Sequence, residues 1–216
     1  MWTAPISLTS TVTNIGLLNF AMTKSKTICV YCASSSRVAS LYTEAATRLG
    51  SLIARAGMTL VTGAGCQGLM RAVEDGALDE GGKAIGVIPR FMIDAGWQHP
   101  ALTELRITEN MHERKQLMAD LSDAVVALPG GCGTMEELLE IITWKQLGLY
   151  LNPIVILNVG GYYDHLIKQL EHAVDEHFMG EIHSKIWSVA STPEEVLDII
   201  EATPAWDASI RKYAAL

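Results

Sequence analysis

No apolar run in the chain approaches the length of a membrane span, so no membrane partner is expected. Basic residues are in deficit. Sixteen Lys and Arg stand against 24 Asp and Glu, for a formal charge of −8. A general nucleic-acid surface needs clustered Lys and Arg, so no nucleic-acid partner is expected either, although one small anion can still be held locally. Cysteine is sparse, with only Cys29, Cys32, Cys66 and Cys132. The Cys29–Cys32 CxxC has no second CxxC or CxxH to complete a zinc site, and the six histidines form no HExxH. No metal is expected. In "TICVYCAS" the two cysteines fall on what reads as a buried strand, where residues three apart point to opposite faces. All four read as buried or loop thiols of a reducing, cytoplasmic compartment. The first 23 residues lack any charged side chain, hence the basic region of a signal peptide. Residues 1–23 read as a disordered extension, or as an upstream start with Met22 as the first residue.

What remains is regular. The 216 residues, about half of them apolar, suffice for one domain with a sizeable core, expected over residues 24–216. Short runs rich in Val and Ile ("TICVYCAS", "MTLVTG", "KAIGVIP", "ELRITE", "AVVALPGG", "PIVILNV", "WSVAS") alternate with helical patterns. The helices are expected over 40–56, 68–82, 109–121, from 134 to about 149, over 162–178 and after Pro193, with a loop at 91–103. This alternation predicts an α/β protein with a Rossmann-like, doubly wound, mostly parallel sheet and helices on both faces. Ligands of such sheets sit beyond the carboxyl ends of the strands, so the strand-to-helix junctions carry the functional reading.

Four junctions stand out. "CASSSR" (32–37) offers Ser34 and Ser35 as donors to phosphate or ribose, although alone it reads as a helix cap. "TGAGCQG" (62–68) contains GxGxxG as Gly63, Gly65 and Gly68, but the region about 20 residues on, "KAIGVIPR", has no acid for an adenosine ribose. An NAD site is therefore disfavoured, and the glycines are left as an approach for an anion or ring, or as a tight turn. "MHERKQLM" (111–118) places Arg114 and Lys115 at a helix start, against the helix dipole, which hints at an external anion or a solvated pair. "LPGGCGTMEELLE" (128–140) sets Gly130, Gly131, Gly133 and Thr134 at a helix N-terminus, an anion site without a Walker lysine. By itself this window reads as a capping box, Thr134 to Glu137, over a buried stripe of Met135, Leu138, Leu139 and Ile142, with Glu136, Glu137 and Glu140 off the core. Converging at one end of a sheet, the four junctions supply what a nucleoside monophosphate needs: amides for the phosphate and a carboxylate for the sugar.

"PGGCGTMEE" (129–137), matching PGGxGTxxE, together with "MHERK" (111–115), resembles the Lonely Guy family of cytokinin riboside 5′-monophosphate phosphoribohydrolases. "ITWKQLGLY" and "LNVGGYYDHL" resemble its flanking sequence, and the likeness covers roughly residues 26–200. The resemblance implies hydrolysis of the N-glycosidic bond of an N6-modified adenosine 5′-monophosphate to free base and ribose 5-phosphate, with no metal or organic cofactor. It implies Arg114 and Glu137 as the catalytic pair, Gly130, Gly131, Gly133 and Thr134 as the phosphate loop, and Glu136 as a ribose contact. Met111, Lys115, Ser34, Ser35 and Gly65 complete the substrate-binding candidates. It also implies a homo-oligomer, a dimer or larger, with the site near the subunit contact. The family has also been labelled lysine decarboxylase, but no lysine here is placed as a Schiff-base partner. Gly160, Tyr150 and the non-consecutive glycines of "TGAGCQGLM" depart from the family pattern and bear on the base, leaving plain AMP and a modified nucleotide both open. The alternative function is a non-catalytic nucleotide or cofactor carrier on the same fold, which would need the glycine loop but not the Arg114–Glu137 pair.

Overall fold

The computed structural model describes residues 26–209; the expectation for residues 1–23 lies outside them. Seven strands form one sheet: β1 (Thr27–Tyr31), β2 (Thr59–Thr62), β3 (Lys83–Pro89), β4 (Glu104–Thr108), β5 (Ala124–Ala127), β6 (Ile154–Leu157) and β7 (Ser188–Ala190). Their order is β4-β3-β2-β1-β5-β6-β7, and every named pairing is parallel. The chain winds outward from β1 to β4, then returns to place β5 on the other side of β1. Register fixes that central pair, with Cys29 opposite Val125 and Tyr31 opposite Ala127. The order therefore reverses between β1 and β5, and the crevice at their carboxyl ends is the switch point where ligands of such sheets bind.

Period-two alternation divides the core. Ile28 and Val30 of β1 face one layer, built with α1 (Ser40–Arg55), α2 (Gly68–Asp79) and α7 (Pro193–Ala202). Cys29 and Tyr31 face the other, built with α4 (Met111–Leu121), α5 (Cys132–Gln146) and α6 (Asp164–Asp175). Cys29 and Cys32 do fall on opposite faces and form no disulfide. Both sheet faces are covered, and each fully buried Ile, Leu or Val there contributes roughly 1.5–3 kcal/mol. Helices start where the chain offers a cue, as at Pro193 in the first position of α7. The expected loop at 91–103 is corrected in part: α3 (Arg90–Asp94) is a single short turn directly after β3. No helix among the described residues is long and apolar enough to cross a membrane.

Candidate active site

The start of α4 is fixed by a reciprocal cap. Asn110 Oδ1 accepts from the Glu113 amide at 2.9 Å, and the Glu113 carboxylate accepts from the Glu109 amide at 3.0 Å and from Asn110 Nδ2 at 2.8 Å. This places Arg114 and Lys115 just past the first turn, where both are buried. Neither is the solvated pair that the sequence left open, nor do they stand there without partners. Arg114 Nε donates to the Val87 carbonyl at 3.0 Å, and Nη1 donates to Glu137 Oε1 at 2.9 Å. Lys115 Nζ bonds Glu136 and, at 3.0 Å, Glu140. Burial draws the Lys115 ammonium down, but these two carboxylates outweigh it and hold it above its ordinary range. The three glutamates beside the glycine loop thus answer two buried cations on α4.

That requirement overrides the local cap. The helix expected from residue 134 begins at Cys132, with Gly131 as N-cap and no side-chain cap bond. Thr134 lies inside the first turn, and Glu137 turns to Arg114 instead of reaching back to the Thr134 amide. A cap is worth about 1 kcal/mol, whereas breaking a buried ion pair costs about 3–5 kcal/mol. The stripe changes with it. Leu138, Ile141 and Ile142 are buried, Leu139 is 40% exposed, and Glu137, expected off the core, is nearly enclosed. Cys132, read as a buried or loop thiol, is an exposed first-turn residue.

The loop before α5 is braced from outside the motif. The Tyr162 hydroxyl donates to the Gly130 carbonyl at 2.6 Å, and Tyr163 donates to the Leu128 carbonyl at 2.7 Å. A Cβ on Gly130 would overlap the Thr134 side chain, so glycine permits this approach. The first-turn amides of α5 have no carbonyl one turn back and point outward, which with the helix dipole makes an anion site.

The β1 and β2 junctions close the other wall. The α1 cap is Ala39, so the serines of "CASSSR" are not helix caps, and Ser34 and Ser35 line the cleft instead. A Cβ on Gly63 would overlap the Arg114 guanidinium, which is seated directly against that turn. The cleft holds about 580 Å³ and gathers Ser34, Ser35, Gly65, Met111, Arg114, Gly131, Gly133, Thr134, Glu136 and Glu137. Two candidates lie outside its lining. Gly130 sits behind Thr134, and Lys115 sits behind its carboxylates. The sequence reading missed Met70, Ile88, Met92 and Trp97, which form an apolar part of the wall. Trp97 is 54% exposed and is pinned by a Gly65–Gln98 bridge and by the Cys66 amide, which donates to the Trp97 carbonyl at 2.9 Å. A tryptophan in a segment following a strand's carboxyl end was the signal for it. Tyr150 and Gly160, the departures expected to bear on the base, do not line the cleft. Burial pushes the Glu137 carboxyl above its usual range, and Arg114 offsets this only in part.

A sequence model for a family described as "Possible lysine decarboxylase" matches residues 70–200. Cytokinin riboside 5′-monophosphate phosphoribohydrolase LOG of Oryza sativa subsp. japonica is 41% identical over 184 residues, 85% of this chain and 76% of that protein. The enzyme LOG3 of Arabidopsis thaliana, with the same name, is 42% identical over 84% of this chain and 85% of its own. The chain belongs to the Lonely Guy family. The family match spans both halves of the Arg114–Glu137 pair. As for its lysine label, the cleft of this Lonely Guy chain has no lysine among the described lining residues. Among solved structures, the molybdenum cofactor binding protein of Rippkaea orientalis superposes with a TM-score of 0.64 at 24% identity, over 83% of this chain and 98% of that one. The molybdenum cofactor carrier protein of Chlamydomonas reinhardtii gives 0.65 at 23%, over 82% and 97%. At that identity the likeness shows the fold that this Lonely Guy chain shares, a Rossmann-like parallel sheet.

Proposed function

We propose that the protein hydrolyses the N-glycosidic bond of adenosine 5′-monophosphates bearing an apolar N6 substituent, releasing the free base and ribose 5-phosphate. The observation that carries this is the enclosed Arg114–Glu137 pair, 2.9 Å apart, in the wall of a cleft that also holds a helix N-terminus. Gly131, Gly133 and Thr134 receive the phosphate. Water adds its hydroxyl to C1′ as the C1′–N9 bond breaks and its electron pair leaves with the base. Glu137 takes the water proton, which ends on the base nitrogen, and its charge steadies the oxocarbenium-like sugar. Arg114 spends Nε on Val87 and Nη1 on Glu137, an arrangement that fits orienting the carboxylate. Glu136 faces the ribose from the cleft rim. A carrier would need the glycine loop but not this pair, so the carrier reading is the weaker one.

Met70, Ile88, Met92, Met111 and Trp97 favour an apolar base substituent over plain AMP. The test is product analysis of the purified protein with AMP and with N6-isopentenyl-AMP. Free base and ribose 5-phosphate are expected from both, faster from the second; binding without release would overturn the hydrolase reading. Trp97→Ala removes part of the apolar wall for the N6 substituent, whose burial contributes roughly 25 cal/mol per Å². It is expected to raise KM for the isopentenyl nucleotide more than for AMP.

The same reading gives a homodimer. On α5, Met135, Leu139 and Thr143 recur at four-residue spacing and line a shallow groove with Trp144, next to Glu136 at the cleft. A second copy covering this face would sit beside the active site. Leu139→Glu is expected to yield monomers in light scattering. The four unpaired thiols fit a cytoplasmic location.

A further inference from the structure

Glu74 of α2 is a carboxyl with 0% exposure outside the cleft lining, and neither the site motifs nor the reaction above use it. Its Oε1 accepts from the Thr62 hydroxyl, and its Oε2 has no partner among the described residues. Thr62 Oγ1 in turn accepts from the Ala64 amide at 3.1 Å. Ala64 stands at φ 63°, a left-handed conformation that alanine rarely adopts, and so needs holding. Between them lies Gly63, on which the Arg114 guanidinium is seated. We propose that Glu74 is a positioning residue whose buried carboxyl latches Thr62 and so holds the Gly63–Gly65 turn that seats Arg114 against Glu137. Its consequence for catalysis rests on the hydrolase reading; the latch itself does not.

The surroundings explain why the neutral form holds. Burial pushes the Glu74 carboxyl up to about 8; the Thr62 hydrogen bond and Arg71 offset this only in part, and Asp75 adds to it. From β1 the group faced is the Cys32 thiol, itself raised by burial and by Glu74. The residues that α1 buries are Ala45, Ala46, Leu49, Gly50, Ser51 and Ile53, none of them titratable, and Lys83 of β3 is exposed. Ionisation strengthens the Thr62 bond to Oε1 but leaves a charged Oε2 with no donor among the described residues; burial outweighs that one bond, so the side chain moves toward water and Thr62 is released.

Glu74→Gln keeps an oxygen for Thr62 and cannot ionise; Glu74→Ala removes the latch at every pH. In the wild type, kcat is expected to fall about tenfold per pH unit once Glu74 ionises. Glu74→Gln is expected to match the wild type at neutral pH and to lose that alkaline fall. Glu74→Ala is expected to lower kcat by up to about 10²-fold through the misplaced pair, with KM little changed because the phosphate loop is untouched. Amide hydrogen exchange at Ala64, corrected for intrinsic rate, reads the latch without activity. Protection should drop above pH 8 in the wild type and persist in Glu74→Gln. An alkaline fall that survives in Glu74→Gln, or Ala64 protection that is the same in all three proteins, overturns the proposal. If the wild type releases no base, the hydrolase reading fails by itself, and the exchange data alone decide the latch.

Discussion

Glu137→Gln is expected to lower kcat for base release by about 10²–10⁴-fold while nucleotide still binds. The glutamine oxygen can accept from Arg114 Nη1 where Oε1 does now, and the amides of Gly131, Gly133 and Thr134 are left in place. What is lost is the negative charge and the proton acceptor. Stopped assays of free base against equilibrium binding of AMP separate the two. Retained turnover would remove Glu137 from the chemistry and return it to the role of a structural partner of Arg114. The pH profile gives a second check. Burial holds the Glu137 carboxyl above the ordinary range near ~4.3. The wild-type rate should therefore fall, as pH drops, at a pH above that range, and residual activity in the variant should lack this acid limb.

The sheet was legible because its signal is local. "KAIGVIP" or "PIVILNV" can scarcely be anything but a strand covered on both faces, and the helical runs between them dictate parallel crossovers. The cleft was legible for a related reason: in a doubly wound sheet, the junctions after β1, β2 and β5 must meet. The failures share one cause. The Thr134–Glu137 cap was a sound local reading, but it was defeated by a partner 23 residues away on another helix. Nothing in the α5 window announces that Arg114 will be buried opposite it. Leu139 fits the helical period yet faces outward, because burying Arg114 and Lys115 rotates the glutamate edge of α5 toward α4. Tyr162 and Tyr163 read only as the start of the helix that in fact begins at Asp164, since their bonds to Gly130 and Leu128 span more than 30 residues. Trp97 and Met92 lay in a segment without periodicity, placed by the short α3, the Gly65–Gln98 bridge and the Cys66 bond to Trp97.

Arg114→Gln should be as damaging as loss of the carboxylate, with a different pH signature. Burial already favours the neutral form of Glu137, and Arg114 is the strongest group opposing it. Without the guanidinium the carboxyl moves further up, so a smaller share of Glu137 is ionised at any given pH. The kcat deficit relative to the wild type is then expected to be greatest at acid pH and to shrink as pH rises through the new Glu137 titration. A purely steric defect would give the same deficit at every pH. Stability carries the opposite sign. A carboxyl raised in the folded state contributes stability that is complete below its unfolded value and lost as pH rises through its folded one. Raising it further in Arg114→Gln makes the variant's deficit smaller at pH 5 than at pH 8, growing with pH toward the roughly 3–5 kcal/mol of a broken buried pair. Denaturation midpoints at the two pH values read this directly. The double variant Arg114→Gln with Glu137→Gln completes the argument: removing both charges should restore most of the stability, as neutral replacement of a buried pair does. Catalysis should not return, because the fold needs the pair only balanced, whereas the proposed hydrolysis needs it charged.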